Sequence, residues 1–195
     1  METSDKALLS VIAIGLTLYA FFPYIRSIRR EATRPHVFSW LIWGSTTFIV
    51  FLAQLEDGGG IGAWPVGVSG VITLYITWLA YVHRADVSIT TVDWLFLVAA
   101  MTSLPLWYVT ANPLWAVIIL TGVDVFGFGP TVRKAWHQPY SEQPGFYSLF
   151  LVRNVMVILA LENYSLTTVL FPAVIAAACL LLVLMILWRR QHLAA

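Results

Sequence analysis

Gly15-Leu16-Thr17-Leu18-Tyr19-Ala20-Phe21-Phe22-Pro23-Tyr24-Ile25-Arg26 lines up without a gap against Gly122-Val123-Asp124-Val125-Phe126-Gly127-Phe128-Gly129-Pro130-Thr131-Val132-Arg133, 107 residues further along the chain. Each copy runs into a basic loop and then into Pro35-His36-Val37-Phe38-Ser39 or Pro144-Gly145-Phe146-Tyr147-Ser148. Next come Leu55-Glu56-Asp57 or Leu161-Glu162-Asn163, and then Trp64-Pro65 or Phe171-Pro172. Hydropathy alone does not dictate shared glycine, proline, arginine and serine positions. Four landmarks recurring in one order therefore mark a repeated structural unit.

Composition says where such units sit. Of 195 residues, 59% are hydrophobic and 11% charged, and the mean hydropathy is +0.81. A water-facing surface cannot be built from that balance, so an integral membrane protein is expected. The net charge of +1 gives no reason to expect nucleic acid as a partner. Segments long enough to cross a bilayer run Ala7–Ile25, Val37–Leu55, Trp64–Val82, Val92–Val109, Pro113–Val132, Phe146–Leu161 and Leu166–Trp188, seven in all. The sixth is the shortest and carries Arg153, and the repeat is what identifies it as a span. Three crossings per unit is an odd number, so one extra helix must lie between the copies if both are to insert in the same direction. The expected fold is all-α: two parallel three-helix bundles at 1–84 and 111–195, joined by a linker helix at 85–110, a 3+1+3 layout.

Basic residues give the direction. Arg26, Arg29, Arg30, Arg34, Arg84, Arg133, Lys134, Arg189 and Arg190 follow the odd-numbered spans, Lys6 lies on the opposite side, and Arg153 lies within a span. Nine of eleven on one side orients the N-terminus out and the C-terminus in the cytoplasm. The acidic start, Glu2 to Asp5, lacks a basic leader and a small-residue cleavage pattern, so the first span is expected to be a retained helix. Trp40, Trp64, Trp94, Trp107, Trp115, Trp136 and Trp188 fall near span ends, as interfacial anchors do. The single cysteine, Cys179, is expected to be an inert packed thiol.

The 3+1+3 layout, with a proline closing the first helix of each unit and a basic turn leading to a serine in the second, resembles the SWEET and PQ-loop transporter families. The span from Pro23 to Ser39, through Arg30, Thr33 and Phe38, has close to the PQ-loop spacing, and Pro130 to Ser148 is two residues longer. The motif's glutamine is replaced by Tyr24 and Thr131, and the sugar-holding asparagines of SWEETs have no counterpart in Trp64–Val82 or Leu166–Trp188, which points away from sugar. The chain also looks like a group of bacterial seven-span proteins, which implies a bacterial inner (plasma) membrane. The resemblance implies a carrier working by alternating access, with acidic residues in this part of the fold coupling it to protons and with paired prolines, here Pro23 and Pro130, as hinges.

Asp124 and Arg153 are the residues most expected to carry function, because an ionisable group inside a span is costly. Each lies about 12–14 Å from the cytoplasmic boundary at ~1.5 Å per residue, so a meeting between them is expected. As function, the pair binds a polar or anionic solute or links it to a proton; as structure, it is a buried ion pair that registers two helices. Their aligned positions in the first unit are Thr17 and, across the shifted loop, Gly44. Ser39, Trp43, Thr46, Thr47 and Gln54 make a polar stripe on the second span; Ser69, Thr73 and Asn154 complete a polar cavity lopsided away from the last span.

His36, His83, His137 and His192 show no ligand spacing, so no metal is expected. The lysines Lys6 and Lys134 lie at span boundaries, and the last span has none for a Schiff base, which excludes a retinal protein. No cofactor is expected, and no phosphate loop or hydrolytic motif points to an enzyme. The sequence therefore suggests a carrier for a small polar solute, embedded in the bilayer. The alternative is a non-transporting accessory subunit or receptor for a protein or lipid, with Arg26–Arg34 drawing anionic head groups. Two units in one chain remove the need for a homo-oligomer without forbidding one.

Overall fold

The computed structural model describes residues 2–33, 35–83 and 89–193. Arg34, Arg84 and the expected boundary between residues 84 and 85 lie outside these, and Pro130 is described in its backbone alone. The helices are α1 (Thr3–Arg29), α2 (Val37–Glu56), α3 (Trp64–Val82), α4 (Thr91–Thr110), α5 (Pro113–Gly127), α6 (Gly129–His137), α7 (Pro144–Ala160) and α8 (Leu166–Leu193). No strand occurs among the described residues.

Six helical segments are long and apolar enough to cross a bilayer: α1, α2, α3 with its leading turn, α4, α5 continued into α6, and α8. With 17 residues, α7 is shorter. Large apolar side chains such as Leu8, Phe22, Trp78, Leu95, Met101 and Leu181 stand exposed all round the bundle, an outer surface that suits lipid and not water. The chain is an all-α integral membrane protein.

Local chemistry sets the boundaries. His36 caps α2 by accepting from the Ser39 amide, Thr90 and Asp93 form a reciprocal capping box at α4, and Asn112 followed by Pro113 starts α5. The expected fifth span, Pro113–Val132, is a broken helix: α5 stops at Gly127 and α6 restarts at Gly129. A glycine on either side of Phe128 and the missing amide of Pro130 remove the local support for continuity. Pro23, at the matching position, is accommodated inside an unbroken α1.

Packing is pairwise and repetitive. Helix α3 contacts both α1 and α2, and α8 contacts both α5 and α7. Across the middle, α1 packs on α7 and α2 on α5. Helix α4 leans on α5 and α2 with little of its surface covered. Close approach relies on small residues: a methyl group on Gly67 would meet the Phe51 ring at 2.8 Å, and one on Gly70 the Phe48 backbone at 3.0 Å.

Candidate functional site

A cavity of about 740 Å³ lies between the helices. Ser27, Pro35, His36, Glu142 and Gln143 line it at the end of the bundle that carries the basic loops, and Thr47, Ser69, Asp124 and Arg153 line it near the middle. Past Arg153 the bundle is filled by Val50, Phe51, Ala63, Val66, Val157 and Phe171, buried apolar residues from α2, α3, α7, α8 and the turn before α3.

The opposite end is closed by hydrogen bonds between the loop after α2 and the loop after α7. Asn163 Nδ2 donates to Asp57 O at 2.7 Å, the Ser165 hydroxyl to the Asp57 carboxylate, the Ile61 amide to Glu162 Oε1 at 3.1 Å and the Glu162 amide to Gly59 O at 3.1 Å. From α1, Lys6 Nζ donates to Leu161 O at 2.7 Å and Ser10 Oγ to Ile61 O at 2.8 Å. Gln54, the last member of the α2 polar stripe, lies here and not in the cavity, donating to Thr168 O at 2.7 Å.

The expected meeting of Asp124 and Arg153 does not occur. Both line the cavity, yet no ion pair joins them. Asp124, 8% exposed, accepts from Thr46 Oγ1 at 2.9 Å through Oδ1. Arg153, 3% exposed, donates from Nε to Thr17 Oγ1 at 3.2 Å, from Nη1 to Asn154 Oδ1 at 2.8 Å and from Nη2 to Pro65 O at 2.5 Å. The two charges are claimed by different neighbours, because α5 faces α2 while α7 faces α1.

The two cross-bundle hydrogen bonds share one spacing. Thr46 on α2 reaches Asp124 on α5, and Arg153 on α7 reaches Thr17 on α1. Thr17 and Asp124 are 107 residues apart, and so are Thr46 and Arg153. Sequence alignment through Ser39 and Ser148 sets Arg153 against Gly44 instead; Gly44 packs beside Leu74, with no room for a side chain.

The remaining expected site residues divide. Trp43, Ser69, Thr73 and Pro23 line the cavity. Thr17 and Asn154 do not; they stand behind Arg153 and hold its guanidinium, and Asn154 is itself fixed by donating to Phe150 O at 2.8 Å. Two tryptophans assigned to the interface turn inward: Trp40 stacks on Tyr24 at 4.9 Å in the cavity wall, and Trp107 packs on the apolar core. The last helix contributes Phe171, Ile175 and Cys179 to the wall, so the cavity is less lopsided than expected and Cys179 faces it. Trp43 lies against the backbone of Gly127, where an added methyl group would stand 2.6 Å from its Nε1.

No protein family, curated protein or solved structure matches this chain. The bundle offers a mid-bundle chamber with an acidic and a basic group, aromatic walls and an approach from one end, while the other end is held by polar contacts between the loops after α2 and α7.

Proposed function

We propose that the chain is a carrier for a small polar solute, working by alternating access, with two three-helix units, α1–α3 and α5–α8, joined by the linker helix α4. The observation that carries this reading is the cavity: it is large enough for a small solute, ends at Asp124 and Arg153, and is approached from one end only. A buried site exposed to one side at a time is what alternating access requires.

Several features support the two-unit reading. The last helix of each unit, α3 or α8, touches the other two, the units meet through α1 on α7 and α2 on α5, and the hydrogen bonds at the meeting share the 107-residue spacing of the repeat. In this reading α7, though 17 residues long, is the seventh span, and the α5 and α6 pair is one span broken at Phe128. The distribution of Lys and Arg supports N-terminus out and C-terminus in the cytoplasm of a bacterial inner membrane. The cavity then faces the cytoplasm, and the Asp57, Glu162 and Asn163 loops form the outer closure. The break at Gly127 to Gly129 and the proline in α1 are the points at which the units bend, and Asp124 and Arg153 hold the solute.

The test is exchange in proteoliposomes. Purified protein, preloaded with unlabelled members of a panel of sugars, amino acids, vitamins and anions, should accumulate at least one labelled member, and Asp124→Asn should abolish that exchange while eluting as a folded monodisperse protein. A panel without exchange, together with co-purification of a stoichiometric membrane protein partner, would replace the carrier by an accessory subunit.

A further inference from the structure

Two opposite charges near the centre of a membrane protein normally find each other, since an unpaired buried charge is far costlier than a paired one. Here they do not. Among the described residues Asp124 has no cationic partner; its Oδ2 accepts no hydrogen bond, although the residue is more than nine-tenths buried and borders the cavity. Among the described residues Arg153 has no anionic partner either. A guanidinium carries five N–H donors, and three are taken by Thr17, Asn154 and the Pro65 carbonyl, which leaves one on Nη1 and one on Nη2.

We propose that the cavity binds a small zwitterion bearing an apolar or aromatic body, its ammonium group at Asp124 and its anionic group at the free N–H groups of Arg153. The proposal rests on reading the cavity as a solute site. A lone cation would satisfy Asp124 and leave Arg153 uncompensated; a lone anion would do the reverse. One zwitterion neutralises both charges in a single binding step, and adds no net charge to the interior when the units rock.

The positions of both charges are fixed without help from each other. Thr46 holds Asp124 from α2, and the three acceptors of Arg153 come from α1, α3 and α7, so the two groups are kept as separate poles. The wall beside them is aromatic: Phe21, Tyr24, Trp40, Trp43 and Phe150 all line the cavity. Trp40 meets Tyr24 at 4.9 Å and Trp43 at 5.8 Å, which gives a continuous ring surface. Such faces attract an ammonium group through their quadrupole and bury an apolar side chain. Sugar hydroxyls would hydrogen-bond to either pole but leave both charges uncompensated.

The experiment compares solutes of one shape and different charge. Thermal unfolding of the full chain in detergent is followed with leucine, phenylalanine and tryptophan as zwitterions, with phenethylamine as the cation and with 3-phenylpropionate as the anion. At least one zwitterion at about a hundred times its dissociation constant should raise the melting point by roughly 5 °C or more. The two singly charged probes should bind at least tenfold more weakly than phenylalanine, and both Asp124→Asn and Arg153→Gln should remove the shift. Exchange of the bound zwitterion in proteoliposomes should be unaffected by a potassium diffusion potential. Equal or tighter binding of 3-phenylpropionate, equal or tighter binding of phenethylamine, or no shift with any zwitterion would overturn the proposal. Exchange of another solute class without zwitterion binding would overturn it and leave the carrier standing. Zwitterion binding without exchange would keep the site and remove the carrier.

Discussion

Gly62 sits in the short turn Gly60–Ala63 that plugs the closed end of the bundle, and replacing it by alanine tests whether that closure is a separable part. A methyl group there would lie 2.4 Å from the Leu161 amide nitrogen and 2.6 Å from both Ala160 C and Leu161 Cα. Ordinary contact needs about 3.5–4 Å, so the turn and the end of α7 must part by roughly 1 Å. All three obstructing atoms are backbone, so no side-chain rotation relieves the clash, and the bonds from Ile61 to Glu162 and from Ser10 to Ile61 stretch with it. Overpacking of this kind costs about 1–3 kcal/mol, which corresponds to a 5- to 150-fold shift between closed and opened forms. The assay uses Val50→Cys, a buried position of the apolar plug, in a Cys179→Ser background. Its labelling rate with a small thiol reagent should rise 5- to 150-fold on adding Gly62→Ala, and the melting point should fall by several degrees. Gly15→Ala is the control, since its methyl group would meet nothing within 4 Å, and helix propensity should make it neutral or up to about 1 kcal/mol stabilising. An unchanged labelling rate and melting point for Gly62→Ala would refute the reasoning.

Asp124→Asn should leave the melting point of the ligand-free protein unchanged or raise it, since a desolvated carboxylate with one hydrogen bond and no cation is removed, while exchange falls at least tenfold. A double-mutant cycle of Thr46→Val with Asp124→Leu, which removes the acceptor, should give a coupling of about 1–3 kcal/mol in thermal unfolding, the value of a hydrogen bond to a charged group. Arg153→Lys should destabilise by about 1–3 kcal/mol, because one ammonium group cannot span Thr17, Asn154 and the Pro65 carbonyl as the fork does; unfolding measurements with Thr17→Val as reference check it. Gly127→Ala should push the Trp43 indole from its seat and slow exchange more than it lowers stability, which parallel transport and unfolding assays would separate.

Membrane class and the positions of the long apolar helices were legible in the residues because each depends on a local quantity, hydropathy over about twenty residues. Helices α2, α3 and α4 begin and end within a residue or so of the expected spans for that reason. The break at Phe128 also had a local signal, glycines flanking it and Pro130 after it, yet Pro23 in the matching place leaves α1 whole, so the same proline is tolerated or not according to its surroundings.

Partnership was not legible. Nothing in the chain states that Thr46 takes Asp124 and that Thr17, Asn154 and Pro65 take Arg153, since contacts between residues as far apart as 17 and 153 depend on which helices abut and how each is turned about its axis. Nor could Trp40 be told from Trp64, one in the cavity wall and the other outward, by distance from a span end. By itself the sequence determined a lipid-embedded helical chain with a repeated pattern and two ionisable residues inside apolar segments, because the transfer of each residue between water and hydrocarbon is a property of the residue. Only the tertiary structure decided that the charges stand apart and border a cavity closed at one end, because azimuth and neighbour are properties of the packed bundle.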